Sequence, residues 1–212
     1  MATQRNERSL LRDRPQRGPD RAAETRRTLL KAAREVFTER GFADASVAEI
    51  VERAHSSIAS VYHHFGGKNE LFLALWEEHQ SSQEERAATA VAASRQKGGK
   101  NPATLFIAGT RAFLEGSWAS RDLVCLFFDG DGPAGFEFLR RRRSRGWVRQ
   151  NAVLLNAEDS SVDRVMVVIL TTLVGEMGRE AASCENHEEV REIIDAADNL
   201  VRRLWSVAPR KS

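Results

Sequence analysis

Two serines, Ser46 and Ser57, constrain the fold of this chain more tightly than any other feature. Each has the character of a helix N-cap, because a serine oxygen can satisfy a first-turn amide that has no partner inside its helix. Ser46 opens "SVAE", the spacing of a capping box in which Glu49 reaches back to the Ser46 amide. The interval between the two caps admits only one short helix, which should bury Val47, Ile50, Val51 and Ala54. A break at His55-Ser56 follows, and the helix capped by Ser57 runs to His64 before Gly66 and Gly67 end it.

The rest of the chain has helical periodicity. Leu29, Leu30, Ala33, Val36 and Phe37 recur at three- and four-residue spacing, which predicts a helix over Ala23 to Arg40 with Gly41 at its C-cap. A long helix is expected from Lys68 to about Ala93, followed by the linker "KGGKNP", whose Asn101-Pro102 opens another. Further helices are expected over about 102–118, 120–129, 133–150, 161–182 and 187–206, the last behind a second capping box at Asn186 and Glu189. Val190, Ile193, Ile194, Ala197, Val201, Leu204 and Trp205 form one stripe on that last helix. Its predecessor, with "VMVVIL", Leu173, Val174 and Met177, is apolar over much of its circumference and must be covered on more than one side. No repeat and no convincing strand emerges, so the expected class is all-α.

Two short helices joined by a tight turn form a helix-turn-helix, whose second helix can enter the major groove of DNA. Ile50, Val61 and Phe65 would fix the angle between them, leaving Ser57, Ala59, Ser60, Tyr62 and His63 outward. Small residues permit close backbone approach. Hydroxyls and imidazole bond phosphates or base edges, and Tyr62 adds apolar surface for a thymine methyl. Lys68 offers a cation at a helix N-terminus.

The segment "TRRTLLKAAREVFTERGFADASVAEIVERAHSSIASVYHHFGGKNELFLAL", Thr25 to Leu75, resembles the DNA-binding domain of the TetR family of bacterial transcriptional regulators. The "F-ER-GF" end of the first helix, the "S-V-A-E-I" start of the second and "YHHF-GK-EL" coincide in register, over about a quarter of the chain. The resemblance implies an all-helical homodimer that reads a palindromic operator, with a small-molecule effector held in a divergent C-terminal domain. It carries DNA contacts to Ser46, Val47, Ser57, Ile58, Ala59, Ser60, Tyr62, His63 and Lys68. His55 stands where many members have glycine, and Ile58 where a basic or polar residue is common. The loss of a cation at Ile58 removes a possible bidentate guanine contact and leaves the operator sequence open.

The expected organisation is a flexible basic arm over 1–21, a three-helix DNA-binding domain over 22–68 with its motif at 46–65, and a larger ligand-binding and dimerisation domain over 69–208. Charge follows that division. Residues 1–34 carry a net +6 and residues 35–83 a net −5, so the arm is the part suited to track a polyanion. The last two helices present more apolar surface than one subunit can cover and are the expected homodimer interface. No apolar run approaches the length of a membrane span, no secretory signal is present, and two cysteines do not make a disulfide framework. A cytoplasmic, nucleoid-associated repressor is the expectation.

A second reading, a dinucleotide-dependent enzyme, competes with this one. "LVCLFF" could be a buried strand, and "GDGPAG" (Gly130 to Gly135) fits the glycine pattern of a dinucleotide-binding enzyme. Asp129 and Asp131 would oppose a pyrophosphate, and too little chain follows to complete the sheet. Pro133 also suits the first position of a helix. No histidine spacing fits a metal, and no nucleophile, base and acid fall at a recognisable spacing. Neither a cofactor nor a catalytic residue is expected. Four consecutive arginines, Arg140 to Arg143, span a helical turn, so one should point inward to a carboxylate such as Glu115 or Glu176, or to an anionic effector. Phe106, Phe113, Trp118, Phe128, Arg142 and Trp147 are the candidates for lining an effector pocket.

Overall fold

The computed structural model describes residues 17–128 and 130–207, with side chains from residue 21 onward. Among them the order is α1 (Arg17–Asp44), α2 (Val47–Arg53), α3 (Ile58–His64), α4 (Lys68–Gln96), α5 (Pro102–Ala119), α6 (Arg121–Phe128), α7 (Phe136–Leu154), α8 (Ser161–Ser183) and α9 (His187–Val207), with no strand. Residues 1–16 of the expected arm lie outside the described residues. Residues 17–21, expected to belong to it, form the start of α1 instead. Pro19 does not prevent this, because a first-turn amide has no helical acceptor to lose. Helical geometry in α1 breaks at Gly41 (φ 77°), the residue whose missing Cβ makes that conformation cheap.

The first core belongs to α1, α2, α3 and the start of α4, and it extends to Leu123, Leu126 and Phe127 of α6 and to Phe136 at the head of α7. Phe72 is its hub. Its ring, fully buried, makes edge-on contacts with Phe37 (5.3 Å), Phe42 (5.0 Å), Phe127 (5.4 Å) and Phe136 (5.1 Å). Such pairs add to the burial of the rings themselves, so the helix-turn-helix is held against α6 and α7 by packed aromatics. Arg34 of α1 adds a bidentate ion pair to Asp122 of α6, at 2.7 and 2.6 Å.

Two smaller cores organise the remaining helices. One gathers Phe106, Ile107, Leu155, Val167, Leu170 and Val201, and the other Leu114, Val190, Ile194 and Ala197. The α9 stripe is therefore spent inside the subunit: Val190, Ile194, Ala197 and Val201 are at most 5% exposed. This corrects the expectation that the stripe awaits a partner chain, because α5 packs against α9 and supplies Leu114. On α8 and α9 the uncovered large apolar side chains are Val162, Val165, Val168 and Ile169 of α8 and Leu200 of α9, and α7 exposes Phe138 and Val153.

"LVCLFF" is helical, within α6, and the segment from Gly130 to Gly135 is the turn into α7. A dinucleotide unit needs a strand at that place, so the alternative reading loses its scaffold. Pro133 lies in this turn rather than at the first position of α7, which begins at Phe136 behind Gly135 (φ 84°). Of the arginine run, two side chains turn inward. Arg143 bonds Glu84 (2.6 Å), and Arg140 bonds the Phe127 and Phe128 carbonyls (2.9 and 3.4 Å) and Glu137 (3.0 Å). Neither expected carboxylate is the partner, since Glu115 meets His187 and Glu176 meets Arg179. The i, i+3 spacing places both arginines on one helix face, which a count of one per turn does not anticipate.

Candidate nucleic-acid interface and cavity

The two caps form. Ser46 Oγ accepts from the Glu49 amide (3.1 Å), and Ser57 Oγ from the Ser60 amide (3.2 Å). Only half of the first capping box is made, because the Glu49 carboxylate turns to Arg40 (3.3 Å). His55 occupies the turn with φ 47°, a left-handed conformation that histidine tolerates better than bulkier or β-branched residues. Ile50 and Val61 are fully buried where α2 crosses α3.

Their burial determines what α3 presents. Ser57, Ala59 and His63 are exposed, Ser60 is half-buried, and Ile58 and Tyr62 are 51% and 59% exposed. Ile58 and Tyr62, one helical turn apart, give the face two large apolar bodies with hydroxyls and an imidazole beside them. Ser46 is exposed, while Val47 is half-buried against the core beneath.

Lys68 behaves differently from expectation. Its Nζ donates to the carbonyls of Phe42 (2.8 Å), Ala43 (3.1 Å) and Ala45 (2.8 Å) and lies over the Phe42 ring. An ammonium has three donors, and all are engaged in closing the end of α1. Lys68 is thus a brace for the α1–α2 corner and has no donor left for a phosphate. Sequence reasoning missed Arg26, whose guanidinium rests 5.0 Å from the Phe65 ring at the end of α3. Arg27 and Lys31 of α1 are exposed cations as well. Arg40 and Arg53 are committed to Glu49 and Glu39.

A cavity of about 710 Å³ opens among α4, α5, α6, α7 and α8. Phe106, Phe113, Phe128 and Trp147 line it, as the sequence suggested. Trp118 and Arg142 do not. Trp118 packs beside the Leu114 core under Arg121, and Arg142 is exposed on the outer side of α7. His79, Gln83 and Thr110 line the cavity and were not anticipated, and Arg140 and Arg143 of the run expected to send one side chain inward line it too. Isolated polar residues on α4 and α5 carry no sequence signal that they share a wall. Gln83 is held by Ser117, whose own proton goes to the Phe113 carbonyl. His79 is 6% exposed, and burial, helped by the Arg34 charge and opposed by Asp122, pushes its pKa down to about 4. The imidazole is therefore neutral near pH 7. No group of His, Cys, Asp or Glu among the described residues could hold a metal ion.

Residues 29–75 match the family model described as bacterial regulatory proteins, tetR family. Over 56 residues the chain is 39% identical to an HTH-type transcriptional repressor, AcnR, of Corynebacterium efficiens, covering 26% of this chain and 30% of that protein. The match thus spans less than a third of that relative's length. The HTH-type transcriptional repressor Rv1474c of Mycobacterium tuberculosis is 26% identical over 208 residues, covering 89% and 99% of the two chains. Among solved structures, a TetR-like transcriptional regulator from Rhodococcus sp. RHA1 superposes with a TM-score of 0.65 at 23% identity, covering 87% of this chain and 97% of that one. That likeness establishes the fold.

Proposed function

We propose that this chain, which belongs to the TetR family of bacterial regulatory proteins, is a repressor that binds a palindromic operator and releases it when a small molecule enters the cavity. The carrying observation is the α3 face, where two buried residues, Ile50 and Val61, hold Ile58 and Tyr62 outward among small and hydroxylated neighbours. A helix presented in this way suits base edges in the major groove. Ser46, Ser57, Ala59, Ser60, Tyr62 and His63 are the assigned contacts, with Ile58 giving apolar contact and Val47 acting through its backbone. Arg26 takes the phosphate role first given to Lys68. Two relatives named as repressors support the direction of control.

The operator-reading unit is residues 22–68, and the part from 69 to 208 holds the effector and pairs with a second copy. Pairing through α8 and α9 follows from Val162, Val165, Val168, Ile169 and Leu200, whose exposure a two-fold contact would remove. The basic residues before and at the start of α1, over 1–21, supply counterion release along flanking phosphates. No described helix is long and apolar enough to cross a membrane, and a regulator of DNA works in the cytoplasm. Catalysis has no part in this reading.

Selection of bound sequences from a random DNA pool tests it. Enrichment of an inverted repeat, lost with Tyr62→Ala, is the expected result. Recovery of a random pool at physiological salt would overturn it.

A further inference from the structure

We propose that the cavity takes an apolar molecule bearing a single acid group, with Arg140 and Arg143 as the receptors of that acid. This rests on reading the cavity as an effector site and adds the chemical class.

The wall decides the body of the ligand. Val91, Phe106, Phe113, Trp147 and Val174 face the space, and Gly175 leaves it open where a side chain would stand. A volume of this size and lining suits a small organic molecule rather than a sugar or a nucleotide.

Charge decides its head. Five arginines and three glutamates line the cavity. Each glutamate is already taken: Glu84 by Arg143 and the Gln150 amide, Glu137 by Arg140, and Glu176 by Arg179. An incoming cation therefore meets no unpaired carboxylate. An incoming acid meets guanidinium edges with donors to spare. Arg140 uses only Nη1 for its three acceptors, leaving Nε and Nη2 without a partner among the described residues. Arg143 binds Glu84 through Nη2, with Nη1 3.8 Å from Glu77, and its Nε donates to nothing described. Both side chains are 24% exposed, so water has not displaced the low-dielectric wall around them. The Phe128 ring, under Arg140 at 4.9 Å and Arg179 at 5.7 Å, holds the guanidiniums at the wall.

The same arginine gives the ligand a mechanical handle. Arg140 bonds the last carbonyls of α6, and Asp122 near the start of α6 is locked to Arg34 of α1. An acid that draws on Arg140 alters what holds α6, and α6 shares its core with the helix-turn-helix.

The test is calorimetric titration of the full chain with decanoate, decyl phosphate, decan-1-ol and decylamine, each below its micellar range. At least one acid should bind about tenfold or more tightly than the alcohol, the worth of a charge-assisted hydrogen bond, and the amine should bind more weakly still. The carboxylate and phosphate arms identify the kind of acid. The double variant Arg140→Gln/Arg143→Gln removes both receptors, leaving Glu137 at the surface and Glu84 on the Gln150 amide, and should bring acid and alcohol within about threefold. If the alcohol or the amine matches the acids, or if the double variant keeps the preference, the assignment of an acid to these arginines is wrong. The effector reading would survive either result provided that a bound probe weakens DNA binding. If none of the four binds, the present proposal falls. A broader screen in which no compound shifts operator affinity would remove the effector reading separately.

Discussion

Lowering the pH from 7 to 4 should remove about 3 kcal/mol of folding stability through His79 alone. The figure follows from a pKa pushed from 6.5 to about 4, with each unit worth about 1.4 kcal/mol. Burial is the main cause, since the ring sits in the wall behind Phe127 (5.6 Å) with Ser120 Oγ 3.5 Å from Nδ1. The Arg34 guanidinium repels a second positive charge, and Asp122 offsets that in part. Because the folded pKa is depressed, the unfolded chain takes up a proton first as pH falls. Stability is therefore complete above about 6.5, declines between 6.5 and 4, and loses nothing more through this group below 4. Urea denaturation at half-unit intervals from pH 7.5 to 4.5 measures this for the wild type and for His79→Gln. The wild-type free energy should fall with a slope approaching 1.4 kcal/mol per pH unit, and the variant should be nearly flat over the same range. Parallel curves would refute the reasoning, because they would locate the acid sensitivity elsewhere.

Lys68→Met should destabilise the protein by about 1–3 kcal/mol, the cost of stripping a charged donor from part-buried carbonyls. Its plot of log affinity for DNA against log salt should keep the wild-type slope, which is the check on the bracing role. Tyr62→Ala should weaken operator binding by about 1–3 kcal/mol and leave the melting temperature unchanged, since the ring is 59% exposed. Val165→Asp with Ile169→Asp should give folded monomers in sedimentation, whereas Ile194→Asp with Val201→Asp should unfold the chain, both sites being buried within the subunit. Below about pH 4 the Arg34–Asp122 pair should also fail. Burial raises the Asp122 pKa, but Arg34's hydrogen bonds and charge outweigh that and hold it below the usual range, so the pair's contribution is lost as that carboxylate protonates. Asp122→Asn should remove this acid-side component from a urea denaturation series extended below pH 4.

What the sequence determined by itself was local. Caps, glycines and apolar spacing act within a few residues of chain, and Ser46, Ser57, Gly41 and the Leu29–Phe37 periodicity placed α1, α2 and α3 within a few residues of where they lie. The outward face of α3 was legible for the same reason, because burying Ile50 and Val61 leaves only one orientation for Tyr62. The tertiary structure decided every question that depends on which helices meet. The α9 stripe identifies a buried face but not whose core it enters, and α5 settles that by packing on it. Lys68 and Phe42 are far apart in sequence, so nothing local shows that the ammonium is claimed by the end of α1. His79, Gln83 and Thr110 become cavity walls only when α4 and α5 lie side by side. Arg143 meets Glu84 across 59 residues of chain. Apolar pattern fixes the side of a helix that is buried, whereas the partner of a buried charge is fixed by distance in space, which spacing along the chain does not encode.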